Sequence, residues 1–276
     1  MKITVVGLGL IGGSIAKALV QYTEHTVYAM DRTAKVVEDA LSSGAIHARA
    51  TEETLAQSDV IYLCLYPEAD IQFVEKYGQY FRPGCIVTDC CGIKNAICPS
   101  LVELSHTYGF TFVGGHPMAG KERSGFYASE AELFRGASYI LVPCEAGEEA
   151  VETVRSLAMA IGCGRTVTTT MENHDQMIAF TSQLPHLLAC AYVLSPRCPQ
   201  HSGFSAGSYR DVSRVAHINE DMWTELFFSN TEALLKETDE LIGHLQAMRQ
   251  ALADGDQETI RSMLRQGRHI KESLGE

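Results

Sequence analysis

The chain has 276 residues, enough for two domains with sizeable cores, and its 46% hydrophobic and 20% charged content fits a folded globular protein. A formal net charge of -12, with no long Lys or Arg run, argues against nucleic acid or an anionic membrane surface as a general partner. The first residues already read as a strand and no apolar run reaches membrane-spanning length, so neither an export signal nor a membrane segment is expected, and the expected location is cytoplasmic.

Ile3, Val5 and Val6 mark a first strand ending at Gly7, followed by the glycine pattern Gly7, Gly9, Gly12 and a helix from about Leu10 to Val20. Gly7 permits a tight turn, Gly9 keeps a side chain away from a pyrophosphate, and Gly12 lets the helix lie close to the strand. The amides at the start of that helix, around Leu10 and Ile11, suit a bound phosphate. Thr26–Met30 reads as the second strand; Asp31 at its tip, 19 residues after Gly12 and followed by Arg32, is placed to accept bonds from ribose hydroxyls. A carboxylate there repels a 2′-phosphate, so the expected cofactor is NAD, held along Gly7 to Gly12 and at Asp31 and Arg32.

The alternation continues with a helix over Ala34–Ser43, a buried strand from Val60 to Leu65, a helix from Pro67, and a strand Cys85–Thr88 presenting Asp89 at its end. A helix is predicted over Ile93–Tyr108, a strand over Phe110–Val113, a loop with short helical turns over 119–135, a strand over Tyr139–Val142, a helix over Glu148–Ala160 and a last extended piece over Gly164–Thr168. The fold class is therefore α/β, an N-terminal Rossmann-type doubly wound parallel sheet over residues 1–168. Residues 169–276 read as all-α, with helices at about Asn173–Ser195, Gly207–Ile218, Glu220–Met248 (with a break near Gly243) and Asp256–Lys271. A stripe including Met177, Phe180, Leu184 and Leu188 can bury in a core or against a second copy, so a homodimer through this region is expected. No regulatory domain is expected after it.

Nine cysteines without a CxxC pair read as small apolar fillers in a reducing compartment, and no metal site is expected, Cys90 and Cys91 included. His116, after a strand at the ligand-binding end of the sheet and between glycines and Pro117, is the candidate acid or base. His174 and His186 are twelve residues apart, too far to meet at one atom on a straight helix, which leaves substrate contact for one and capping or packing for the other. Arg210 and Arg214 share a helical face with Asp211 available to orient a guanidinium; a fork for a substrate carboxylate and a salt bridge between domains both fit. The single Trp223 is expected to pack.

GLGLIGGS at 7–14, TDCCGIK at 88–94, GGHPMAG at 114–120, HD at 174–175, SQLPH at 182–186 and GSYRDVSR at 207–214 together resemble the prephenate dehydrogenase family over nearly the whole chain. The resemblance implies a Rossmann-type domain with a helical dimerisation domain, and oxidative decarboxylation of prephenate to 4-hydroxyphenylpyruvate in tyrosine biosynthesis. It makes His116 the partner of the ring hydroxyl, gives Arg214 a substrate carboxylate, and has His186, Gly207 and Asp211 shape the substrate site. Two positions depart from the family pattern: Gly92, where Ser is frequent, and Gln183, where His is common. Arogenate as substrate, a β-hydroxyacid dehydrogenase using a helical Lys at the nicotinamide, and a dinucleotide sensor without catalysis stay open as alternatives.

Overall fold

The computed structural model describes residues 1–121 and 123–275; of the loop expected over 119–135, Glu122 lies outside the described residues, as does Glu276 of the helical region. The first part runs β1 (Lys2–Val6), α1 (Leu10–Tyr22), β2 (Thr26–Met30), α2 (Ala34–Ser42), β3 (Ala48–Arg49), α3 (Glu52–Leu55), β4 (Val60–Leu63), α4 (Pro67–Tyr77), β5 (Ile86–Asp89), α5 (Cys98–Tyr108), β6 (Thr111–Pro117), β7 (Ser138–Val142), α6 (Glu148–Ala160) and β8 (Arg165–Thr168). Among the described residues these strands form one sheet in the order β3-β2-β1-β4-β5-β6-β7-β8. Strand order reverses beside β1, which opens the crevice at the carboxyl ends of β1 and β4 where ligands of such sheets bind. One apolar layer, including Ile3, Ile15, Leu19 and Tyr62, fills the α1/α6 face, and a second, including Ile61, Val87, Leu101 and Phe112, fills the α4/α5 face.

The expected parallel sheet holds from β3 to β6 and is corrected beyond it: β7 runs antiparallel to β6, and β8 follows β7. β6 is also longer than its predicted Phe110–Val113, because Gly114 and Gly115 continue the strand instead of turning out of it. A Cβ on Gly115 would stand 2.5 Å from the Tyr139 hydroxyl and 2.7 Å from the Asp89 carbonyl, so this glycine answers to crowding. β5 pairs with the first half of β6 and β7 with the second, from Gly114 to Pro117. That stagger brings Thr168, at the end of β8, level with Leu141 and hence with Gly115, near the end of β5. The chain thus leaves the sheet beside the carboxyl edge.

The rest is helical: α7 (Met171–Ile178), a π turn over Ala179–Gln183, α8 (Leu184–Val193), α9 (Gly207–Ser213), a 3-10 turn over Arg214–Ala216, α10 (Glu220–Ser229), α11 (Thr231–Asp254) and α12 (Gln257–Ser273). α7, the π turn and α8 follow one another without a gap, over the single helix expected. The long helix predicted to break near Gly243 is instead interrupted at Asn230, whose amide donates to the Asp175 carbonyl at 2.9 Å and to Gln183 Oε1 at 2.7 Å. Exposed Gly243 costs only helix propensity, about 1 kcal/mol, and α11 runs through it. No helix among the described residues is long and apolar enough to cross a membrane.

Candidate active site

The turn from β1 into α1 has the shape a dinucleotide requires. Gly7 has φ +90 and donates its N–H to the Met30 carbonyl at 2.8 Å; a Cβ there would also meet the Cys64 carbonyl at 2.7 Å. A Cβ on Gly12 would stand 1.9 Å from the Gly7 carbonyl oxygen, so helix and turn are in contact. Gly9 is different: a Cβ there would meet no protein atom within 4 Å. The open space lies at the N-terminus of α1, where Gly9 is the cap residue and no side chain caps the helix. Leu10 and Ile11, half-buried, form the first turn, and their amides have no intrahelical acceptor.

Asp31 is half-buried, and its carboxylate already accepts two amides of the protein, Leu8 N–H at Oδ2 and Thr33 N–H at Oδ1, both at 2.8 Å. Those bonds tie the end of β2 to the glycine turn and fix the direction of the acid. Each oxygen keeps a lone pair, as a ribose diol would need. Arg32 beside it is exposed. An open cradle at Gly9, an uncapped helix start and a braced acid fit the dinucleotide that the sequence implied.

The second cluster gathers at the ends of β5 and β6. His116 lies inside β6, not after it as expected, and is partly exposed. Its Nδ1 is 2.9 Å from Nε2 of His174, and His174 Nδ1 is 2.7 Å from Oδ1 of Asp175. The same carboxylate accepts Lys94 N–H at Oδ1 and Asn95 N–H at Oδ2, each at 2.8 Å, so α7 is fastened to the loop that follows β5. Burial, aided by the Lys94 charge and by the opposition of His174 to a second proton beside it, holds the His116 imidazole well below its ordinary pKa, so it is neutral at neutral pH. Burial likewise lowers His174 against the opposing pull of Asp175. For Asp175 itself burial pushes upward, but the His174 bond and the amides of Asn95 and Lys94 outweigh it, and the acid stays ionised.

Beneath this cluster Lys94 and Asp89 form an ion pair with both side chains fully buried. Lys94 Nζ also donates to the Cys91 carbonyl at 2.8 Å, while Asp89 accepts Cys91 N–H at 2.8 Å and Gly115 N–H at 3.0 Å. Burial alone would lower the Lys94 pKa, but the Asp89 charge drives it upward, so the ammonium is fully committed to the loop. Gly92 sits on that loop: a Cβ there would lie 3.9 Å from both Cε1 and Nε2 of His116 and 3.7 Å from Leu226.

The helical region supplies a third group. His186 is partly buried, bonds through Nδ1 to the Ser182 carbonyl at 2.7 Å, and stacks on Trp223 with ring centroids 3.8 Å apart. Trp223 therefore packs, as expected, and its partner is a candidate site residue. Burial lowers the His186 pKa, and the nearby Arg214 charge adds to that. Arg214 is exposed in the 3-10 turn that packs on α8; Gly207 opens α9, and a Cβ on it would be 4.0 Å from Oδ2 of exposed Asp211. Arg210 is exposed on the same helix. α10 bridges the groups, with Trp223 on His186 and, one turn on, Leu226 facing Gly92. Motif reading singled out His116 and His174 separately but not their contact, nor the grip of Asp175 on the Lys94 amide: His116 and His174 are 58 residues apart in sequence, and Asp175 and Lys94 are 81 apart.

Comparison with known proteins places these features in a context. The family model described as prephenate dehydrogenase, nucleotide-binding domain, matches residues 15–167, and that described as prephenate dehydrogenase, dimerization domain, matches residues 170–266. A cyclohexadienyl dehydrogenase of Zymomonas mobilis is 30% identical over 267 residues, covering 92% of this chain and 90% of its own. The solved arogenate dehydrogenase of Synechocystis superposes with a TM-score of 0.86 at 28% identity, covering 99% of this chain and 100% of its own. An Aquifex aeolicus prephenate dehydrogenase, solved in complex with hydroxyphenyl propionate and NAD+, shares the fold with a TM-score of 0.86 at 23% identity, over 99% of this chain and 98% of its own.

Proposed function

The chain belongs to the prephenate dehydrogenase family, and from that premise we propose that it oxidatively decarboxylates prephenate to 4-hydroxyphenylpyruvate with NAD, as a homodimer, in tyrosine biosynthesis. The observation that carries the reading is His116, a neutral imidazole at the carboxyl edge of the sheet with its Nε2 edge toward Gly92. Residues 1–168 form the nucleotide-binding part and 169–276 the substrate and dimerisation part.

Gly7, Gly9, Leu10, Ile11 and Gly12 receive the pyrophosphate, and Asp31, with Arg32 beside it, receives the adenosine ribose. Bound there, NAD supplies the acceptor for the hydride that leaves the ring carbon bearing the hydroxyl. His116 takes the hydroxyl proton as that carbon becomes a carbonyl. Loss of the quaternary carboxylate as carbon dioxide returns its electron pair to the ring, which becomes aromatic, and His116 gives the proton back to the phenolate oxygen. No net proton is released, and the neutral state of His116 suits both halves of the exchange. Arg214 anchors a carboxylate, while His186, Gly207 and Asp211 shape the substrate side. Lys94, the lysine near His116, is occupied by Asp89, which weighs against the lysine-based chemistry of a β-hydroxyacid dehydrogenase.

The test is NADH absorbance with prephenate and with arogenate, each with NAD and with NADP. Rapid reduction of NAD with prephenate is expected. Preference for arogenate would keep the chemistry and change the substrate, and no reduction in any combination, despite NAD binding, would favour a sensor.

A further inference from the structure

We propose that His174 and Asp175 are positioning residues that keep the proton of His116 on Nδ1 and leave Nε2 as the basic atom of the site. The inference rests on the reading of His116 as proton acceptor and adds what selects the working nitrogen.

The chain of bonds leaves one arrangement. Asp175 is an ionised carboxylate holding two backbone amides, so at its 2.7 Å contact with His174 Nδ1 the proton belongs to the imidazole. His174 is buried and neutral, hence it has one ring proton, and Nε2 is a bare lone pair. The 2.9 Å contact between that lone pair and His116 Nδ1 then requires the donor to be His116. A neutral His116 with its proton on Nδ1 presents an unprotonated Nε2, and that is the edge nearest Gly92. The charged and titratable groups facing His116 are His174 from α7 and Lys94 from the loop after β5, with Asp89 bound to the neighbouring Gly115 amide. Those facing His174 are Asp175, Lys94 and Asp89. Leu226, the neighbour of Gly92 on α10, is apolar. Asp175 also pins the amides of Lys94 and Asn95, so the residue that sets the tautomer holds the Gly92 loop beside the ring it orients.

The full chain, labelled with 15N-histidine, gives a readout independent of turnover. Long-range 1H–15N spectra at neutral pH are expected to show His116 protonated at Nδ1 and bare at Nε2; a proton on Nε2 overturns the proposal. His174→Gln retains a neutral acceptor for His116 Nδ1, so its kcat is expected to stay within about tenfold of the wild type. His174→Leu, which removes the acceptor, loses about 100-fold in kcat with little change in KM. In His174→Leu the acid limb of kcat/KM moves to higher pH, because His174 can no longer take up a proton on acidification and oppose a second charge on His116. Asp175→Asn offers a carboxamide N–H where His174 needs an acceptor, and is expected to shift the His116 proton to Nε2 with a loss of about 100-fold or more. Equal losses in Gln and Leu with an unmoved acid limb would mark a merely structural role and reject the idea. If Asp175→Asn fails to fold, the wild-type spectrum and the His174 pair still decide. Absence of turnover in the wild type would count against the proposed reaction alone, since the spectra report the tautomer without substrate.

Discussion

At the scale of single residues, the Lys94–Asp89 pair and the carboxylate of Asp175 hold the loop that carries Gly92 beside His116. His116 was legible from its setting of glycines and Pro117, yet the predicted strand stops before Gly114, because the crowding of Gly115 by Tyr139 and Asp89 from other strands leaves no local signature. Gly92 was legible as a departure, and its surroundings explain why it matters: a side chain there would point at the working edge of His116. Asp70 lies in the first turn of α4, where an acid would ordinarily face solvent. It is fully buried, accepting Leu65 N–H at 3.2 Å and the Cys91 thiol at 3.1 Å, and burial together with the Asp89 charge pushes it from 3.8 to about 7. Between those values the folded chain keeps a proton that the unfolded chain has lost, so stability falls as pH rises through that window and levels off above it. Asp70→Asn mimics the protonated form. Its stability advantage over the wild type should grow by about 1.4 kcal/mol per pH unit across the window. Calorimetry at pH 5 and pH 8 checks this, and an equal difference in Tm at both would refute it.

At the scale of elements, periodicity sufficed where local patterning and burial agree. β2 and α6 span the residues expected, Thr26–Met30 and Glu148–Ala160. α5 starts at Cys98 instead of Ile93, because Pro99 has no N–H to give and sits in the first turn, while Lys94 turns inward to Asp89. The break at Asn230 was invisible for a different reason: it is made by side-chain bonds to Asp175 and Gln183, both distant in sequence. The glycine turn invites a paired experiment. Gly12→Ala drives a Cβ into the Gly7 carbonyl and should lower Tm sharply, whereas Gly9→Ala meets only open space. Gly9→Ala should therefore fold within about 1 kcal/mol of the wild type while NAD binding weakens by about tenfold or more. Calorimetric titration with NAD separates the two effects; unchanged affinity in Gly9→Ala would remove the pyrophosphate from that space.

At the scale of the whole molecule, the order of strands and helices was readable because each element buries its own stripe, but the reversal of β7 was not. β7 begins beside the end of β6, where Pro117 pairs with Tyr139, so the connection returns on the edge it left and the strand runs back, which no local pattern announces. The helical region leaves large apolar side chains in solvent, among them Phe228 at 78% exposure and Leu252 at 70%, with Leu235, Ile242 and Leu245 along α11. Burying such side chains yields about 1.5–3 kcal/mol each, which a second copy would provide. Leu235→Glu combined with Ile242→Glu should convert a dimer to a monomer in sedimentation velocity with helical content retained; a monomeric wild type, or a variant that stays dimeric, would reject α11 as the interface. The seam at Asp175 has a consequence for inheritance as well. The acid comes from one half of the chain and the amides it grips, at Lys94 and Asn95, from the other. Recombination between two relatives near Thr168 would join halves that each fold from their own stripes, yet draw the seam from different parents. The fate of such a chimera rests on whether the loop from one parent still brings two main-chain amides to the acid of the other, so what must match across the join is the path of the chain at 94 and 95 and not the side chains there.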